Sequence, residues 1–368
     1  MKKLYQQGLS LLELMIALAL GLVLVAVAVQ MFISSQANLA LQRSLGDLQD
    51  NGLFGLDFVA KDLRKTNLGA SLAVLDSNIA QGGIILTNNN IIGSGNIRLI
   101  GFNASHLSHT AQLANTSNFK DLKSDQLTIQ YKTVQNIYDD ATFLRKMNNN
   151  SLTAAERQAV VGYDCEGGRI VLEDVINQVY IIQRYYVRPT TTSSTTGTNN
   201  PHLALYCDAG RYVWGDLETA LAESEKDSPN SPTRSINVSL LDAGQVVIPR
   251  VDHFRVLLGV AEGEYNDSKN FRYLTFKDYL ALPQDNLPTI RSIKLALVIR
   301  SQDPISKNTN KLTDTFDILD QVDQKLVGGE DHYMRQVLTQ TIALRNALGE
   351  DLRPKAQQEQ NAAEGATP

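Results

Sequence analysis

One carboxylate stands at the head of an oily stretch. Glu13, in the segment GLSLLE at 8–13, is followed from Leu14 to Ile33 by a run without a charged side chain. About 20 such residues at ~1.5 Å rise each span a hydrocarbon core. A carboxylate carried to the centre of that core costs roughly 2.5 kcal/mol or more, so Glu13 calls for a cation, and a newly made amino terminus just upstream would supply one. The chemistry this spacing predicts is an ion pair in lipid.

The rest of the chain offers little for catalysis. G-x-S-x-G, H-E-x-x-H and a P-loop are all missing from the sequence. His106 and His109 lie among Ser, Asn and Thr, which reads as a loop rather than a helical face able to hold a metal. Asp314, Asp317, Asp320 and Asp323 recur every third residue without the glycine and closing glutamate of a calcium loop, and read as a solvated helix face. Glu262, Glu264, Asn266 and Asp267 form an oxygen-rich surface loop, with calcium as its alternative reading. No metal, other cofactor or small-molecule substrate is assigned. Tyr185, Tyr186 and Trp214 read as core aromatics near strands, with exposed contact residues the alternative.

Two cysteines, Cys165 and Cys207, fall beyond the apolar run, on the side where disulfides persist if that run is an anchor. A bridge would close a loop of about 42 residues and contribute roughly 4 kcal/mol in chain-entropy terms. The alternative is two buried free thiols. No Cys-x-x-Cys indicates zinc or a redox site.

These residues need elements to position them. The helical pattern continues past the apolar run: Leu41, Leu45, Leu48, Gly52, Gly55, Val59 and Leu63 recur at steps of three or four, with Arg43, Asp47, Asp50, Asp57, Lys61 and Arg64 largely off that stripe. The spacing predicts one helix from about Leu9 to Thr66, apolar all round in its first half and amphipathic in its outer half. Gly52 and Gly55 in the stripe lower helix propensity and would let a sheet approach closely.

After Gly69 the period shortens to strand-like runs, at 83–87, 97–102, 126–133, 169–172, 178–188, 203–207, 245–248, 253–260, 290–300 and 335–346. An antiparallel sheet packed on the helix follows, an α+β plan. Thr153 to Glu156 has the capping-box form and opens a short helix running toward Gly162. The stretch TTTSSTTGTNN at 190–200 is a low-complexity surface excursion, residues 218–235 start as an acidic helix, and 350–368 read as a disordered tail.

The amino-terminal order, Gly8, Leu9, Ser10, Leu11, Leu12, Glu13 after a leader with Lys2 and Lys3, resembles the class III signal of type IV prepilins. An ordinary secretory signal places its apolar region before the cleavage site. Here it follows, so the helix is retained. The resemblance implies cleavage by a prepilin peptidase between Gly8 and Leu9, N-methylation of Leu9, and Glu13 as the assembly carboxylate. Pilins more often have phenylalanine at the position of Leu9, and many carry a proline near that of Gln30.

Segments VDHFRVLLGV at 251–260, RSIKLALVIRS at 291–301 and QTIALRNAL at 340–348 further resemble the PilW-like minor pilins. The fold implied is type IV pilin-like. Its parts would be a leader at 1–8, a transmembrane and polymerisation half-helix at 9–33, an amphipathic half-helix at 34–66, a periplasmic β-rich head at 67–349 and a tail at 350–368. The function implied is initiation of pilus assembly, with no enzymatic activity, beside other minor pilins and the major pilin in the inner membrane or at the pilus tip. A J-type minor pseudopilin of type II secretion shares the plan and is the alternative.

Lys2 and Lys3 place the leader end in the cytoplasm and the head outside, in the periplasm, anchored through inner-membrane lipid. The net charge of −5 would become −7 without the leader, and no basic tract points to nucleic acid.

Overall fold

A computed structural model describes residues 10–70, 72–93, 97–111, 116–133, 151–190, 201–224, 234–240, 243–262, 269–284, 287–305, 315–327 and 332–348. The leader at 1–8, residues 191–200 of the low-complexity stretch and the tail at 350–368 lie outside the described residues, as do Glu264, Asn266, Asp267 and Asp314.

Helix α1 runs unbroken over Leu11–Leu63. Its apolar half is uncovered, with an 18-residue window of mean hydropathy 2.7, none of it buried by the described residues. The outer half buries Ser44, Leu48, Gly52, Leu56, Val59, Ala60, Asp62 and Leu63. The expected stripe therefore holds at Leu48, Gly52, Val59 and Leu63, but Leu45 is exposed and Ser44 takes its place. A helix of 3.6 residues per turn brings 44, 48, 52, 56, 59 and 63 into one band, and Leu45 falls to its edge.

The head is built on two four-stranded antiparallel sheets. The first has the order β2 (Leu127–Lys132), β5 (Val179–Pro189), β6 (Leu203–Val213), β8 (Gln245–Pro249). The second has the order β10 (Lys269–Leu274), β9 (Val251–Glu262), β11 (Thr289–Pro304), β14 (Tyr333–Ala343). Arg250, at φ 59°, is the corner at which β8 leaves one sheet and β9 enters the other.

Helix α1 packs across this junction, against β8, β11 and β14. Glycine is what lets it sit so close. A Cβ on Gly52 would lie 2.3 Å from Leu338 Cδ1 and 2.5 Å from Ile299 Cδ1, and one on Gly55 would lie 2.5 Å from Ile248 Cγ1. One continuous core results, joining Leu48, Leu56, Val59 and Leu63 to inward residues of both sheets such as Tyr185, Leu205, Phe254, Leu295 and Leu338.

The outer sheet faces carry smaller clusters. Hairpin β12 (Thr315–Ile318) and β13 (Gln321–Lys325) packs Phe316 and Ile318 on Ala296 and Val298. Helix α5 (Trp214–Ser224) with β1 (Ile97–Ile100) and β7 (Arg234–Asn237) covers Ile182 and Tyr212.

Several expectations are corrected here. Strands β1 and β7 pair in parallel, the exception among the described strands, which otherwise pair antiparallel. Parallel partners need a long crossover, which strand-like patterning alone does not reveal. Residues 83–87 form no strand, only a bridge from Ile84 to Ile129. Thr153 does cap helix α3 with Glu156, but α3 spans only Ala154–Arg157, because β3 (Val160–Tyr163) pairs with β4 (Arg169–Val171) before Gly162 can be helical. Asp317, Asp320 and Asp323 lie in the β12–β13 hairpin rather than on a helix face. Asp320 there engages Arg255, and Asp317 accepts from the Asp323 N–H, so local turn chemistry outweighed the three-residue period.

Candidate assembly site

Glu13 sits in the first turn of α1, and its side chain is exposed. Ser10 caps that turn, its Oγ accepting the Glu13 N–H at 3.2 Å. An acidic side chain at a helix amino terminus also meets the positive end of the helix dipole, worth about 0.3–1 kcal/mol at an exposed site. The cap was missed in the sequence, where the S-x-x-E spacing of Ser10 and Glu13 would have signalled it. Gly8 and Leu9 lie outside the described residues.

From Leu11 to Ile33 large apolar side chains point outward on every side, among them Leu12, Ile16, Leu20, Leu24, Met31 and Phe32. A helix apolar all round and uncovered has only lipid or other helices to pack against. Farther out, the face turned away from the head still shows Leu53, Phe54 and Phe58, Phe54 being 77% exposed.

The head is fastened to α1 by buried polar groups. Asp62, on the buried face, accepts from the Tyr185 hydroxyl at 3.0 Å and from Lys65 Nζ at 2.7 Å. Burial and Asp62 hold the Tyr185 hydroxyl well above its ordinary pKa. Beyond the helix end, Asn67 at φ 64° donates to the Leu72 and Asn346 carbonyls, each at 2.9 Å. The pattern of apolar residues gave no sign of Asp62, Asn67 or Asn346, since polar side chains ordinarily read as surface.

Cys165 and Cys207 are bonded, with their Cα atoms 6.1 Å apart, tying the β3–β4 segment to β6 in the core. Tyr185 is fully buried in that core, Tyr186 is buried on the outer face against Tyr206, and Trp214 is partly buried against Tyr180.

Among the described residues, the histidines and acids weighed as metal ligands do not come together, and Glu264, Asn266, Asp267 and Asp314 lie outside them. His106 Nδ1 accepts the Asn103 N–H at 3.0 Å, and burial lowers its pKa to about 4, whereas His109 is exposed and its backbone bridges Gln126. Glu262 engages Asn270 and Arg272. Among the described residues no group of three or more His, Cys, Asp or Glu is placed to hold a metal ion.

Comparison with known proteins first gives a class. Residues 3–29 match the Prokaryotic N-terminal methylation motif, a stretch that includes Gly8, Leu9 and Glu13. In the head, residues 226–346, which contain β7 to β14, match the model of PilW, Type IV Pilus-assembly protein W. The chain is thus similar to the methylation motif at its amino terminus and to the PilW model in the head. Among solved structures, a type IV-like pilin from Thermus thermophilus aligns over 82% of this chain and 97% of its own at 10% identity, with a TM-score of 0.31. No curated protein matches.

Proposed function

We propose that this chain is a minor pilin that promotes initiation of type IV pilus assembly, together with other minor pilins and the major pilin. The observation that carries the reading is the division of α1: one half is locked to the head, and the other is bare, apolar and headed by Glu13. The leader at 1–8 is removed by a prepilin peptidase, Leu9 is methylated, and the helix from residue 9 anchors the chain in the inner membrane with the head periplasmic.

Assembly then follows from two physical terms. The Glu13 carboxylate is costly in lipid and is relieved when it meets the cationic amino terminus of a neighbouring mature subunit. Bare helix faces such as Leu20 and Leu24 pack on those of neighbours, where association rests on close van der Waals contact. The work is association, and no residue is given a catalytic role.

The test is Glu13→Ala in the natural host. The variant is expected to be made and inserted while pilus number falls severalfold. Wild-type piliation in that variant would remove the ion-pair mechanism. A deletion strain that loses type II secretion while keeping its pili would favour the J-type pseudopilin instead.

A further inference from the structure

Hairpin β3–β4 pairs only with itself among the described strands, so its place on the head depends on a few fixings. Cys165 in its turn is bonded to Cys207 of β6, and Arg211 of β6 meets Asp164 at 2.7 Å and Asp174 at 3.3 Å. Ile170 and Val161 of the hairpin pack with Tyr131 of β2 and with Leu68, just past the end of α1. There the Lys132 N–H donates to the Leu68 carbonyl at 2.8 Å, which ties β2 to the chain leaving the helix.

Packing between these parts is incomplete. Leu68, Tyr131, Val161, Tyr163, Ile170 and Val175 line a cleft of about 180 Å³. A cavity of about 150 Å³ with apolar walls takes up benzene, whereas pockets for drug-sized ligands begin near 300 Å³. The cleft is therefore the size of one ring with a small substituent. Residues 134–150, which follow Thr133, lie outside the described residues.

Tyr131 sets this cleft apart from a mere packing gap. Its side chain is buried, and its hydroxyl has no hydrogen-bond partner. Burial, with Asp62 and Asp164 nearby, holds that hydroxyl well above its ordinary pKa, so it keeps its proton and is a donor without an acceptor. Lys65 Nζ lies 5.5 Å from the ring centre but is engaged by Asp62 at 2.7 Å. Tyr163, 59% exposed, adds a second ring on the solvent side.

We infer that this cleft binds a small, neutral, single-ring aromatic molecule with an oxygen substituent, of the phenol class, and that the Tyr131 hydroxyl donates to that oxygen. Apolar walls disfavour a charged occupant, two tyrosine rings favour an aromatic one, and the unpaired hydroxyl selects for the oxygen. Leu63 stands about 45 Å from Ile33 along α1 at ~1.5 Å per residue, so in an anchored chain the occupant arrives from solution rather than from lipid. Assembly through Glu13 makes no use of this cleft, and the inference goes beyond that reading.

The test titrates p-cresol, and toluene as the ring without oxygen, into the detergent-solubilised full chain and follows the methyl NMR signals of Val161 and Ile170. In wild type both signals are expected to shift and saturate with either probe. Tyr131→Phe should weaken p-cresol binding about five- to tenfold, the worth of one hydrogen bond, and leave toluene unchanged. Its Tm should equal or exceed that of wild type, since the substitution removes a buried polar group without a partner. Val161→Phe, which fills the cleft, should abolish the shifts of Ile170 with both probes. Absent or unsaturable shifts in wild type overturn the inference, as does p-cresol affinity that Tyr131→Phe does not change. Equal loss of toluene in Tyr131→Phe would mark a packing defect and overturn it too. N-acetyltyrosinamide binding as tightly as p-cresol would assign the cleft to a side chain of another polypeptide instead.

Discussion

Asn67 and Asn346 hold each other across the two ends of the head: Asn67 Nδ2 donates to the Asn346 carbonyl at 2.9 Å, while Asn346 Nδ2 donates to the carbonyls of Arg64 at 3.2 Å and Thr66 at 3.1 Å. The last carbonyls of a helix lack partners within it, and here a residue from the far end of the described chain supplies them. Asn346→Ala leaves them unpaired at a partly buried site. It should lower stability by about 1–2 kcal/mol, read as a fall in the urea midpoint at unchanged slope.

Close approach at the glycines gives a sharper test. Gly52→Ala forces its methyl into Leu338 and Ile299 and should cost about 1–3 kcal/mol through overpacking. Gly46→Ala, where an added Cβ meets nothing within 4 Å, should be neutral or gain up to about 1 kcal/mol in helix propensity. Thermal melts of the two variants that move in the same direction would contradict the packing described.

The disulfide is expected to matter for stability. Replacing Cys165 and Cys207 by alanine should cost about 2–5 kcal/mol, visible as a lower Tm that reductant reproduces in wild type and leaves unchanged in the variant.

His253 supplies a pH dependence with a definite sign. It is fully buried, its ring nitrogens lie 2.9 Å from Ser117 Oγ and 3.0 Å from Gln321 Oε1, and Arg255, Asp320 and the Phe119 ring are nearby. Burial pushes its pKa down to about 4 from the usual 6.5. The unfolded chain therefore binds a proton that the folded chain refuses in that window. Stability is lost as pH falls from about 6.5 toward 4, by up to about 3 kcal/mol. His253→Gln should flatten this part of the urea-midpoint profile, and an unchanged slope between those pH values would contradict it.

How much of this was legible depended on the kind of residue. The long helix could be read because its apolar residues recur at steps of three or four, β5 because β-branched and aromatic residues fill it, and β11 because Ile293, Leu295, Leu297 and Ile299 alternate. Strands β7, β10, β12 and β13 hide in sequences rich in Asp, Asn, Arg and Lys, and they form only because a larger sheet or cluster lies next to them. Glu13 stood out since a charge in an oily run is rare. Asp62, Asn67, Asn346 and Asp252 did not, because a buried polar group is defined by its partners, and those partners are far away in sequence.

The central claim is that a processed amino terminus meets Glu13 in the membrane. Intact-mass measurement of the membrane-extracted protein, from cells with and without the prepilin peptidase, tests it most directly. The account predicts a chain beginning at Leu9 and carrying one added methyl group when the peptidase is present, and the unprocessed chain when it is absent. A protein that still begins at Met1 in cells with an active peptidase would contradict it.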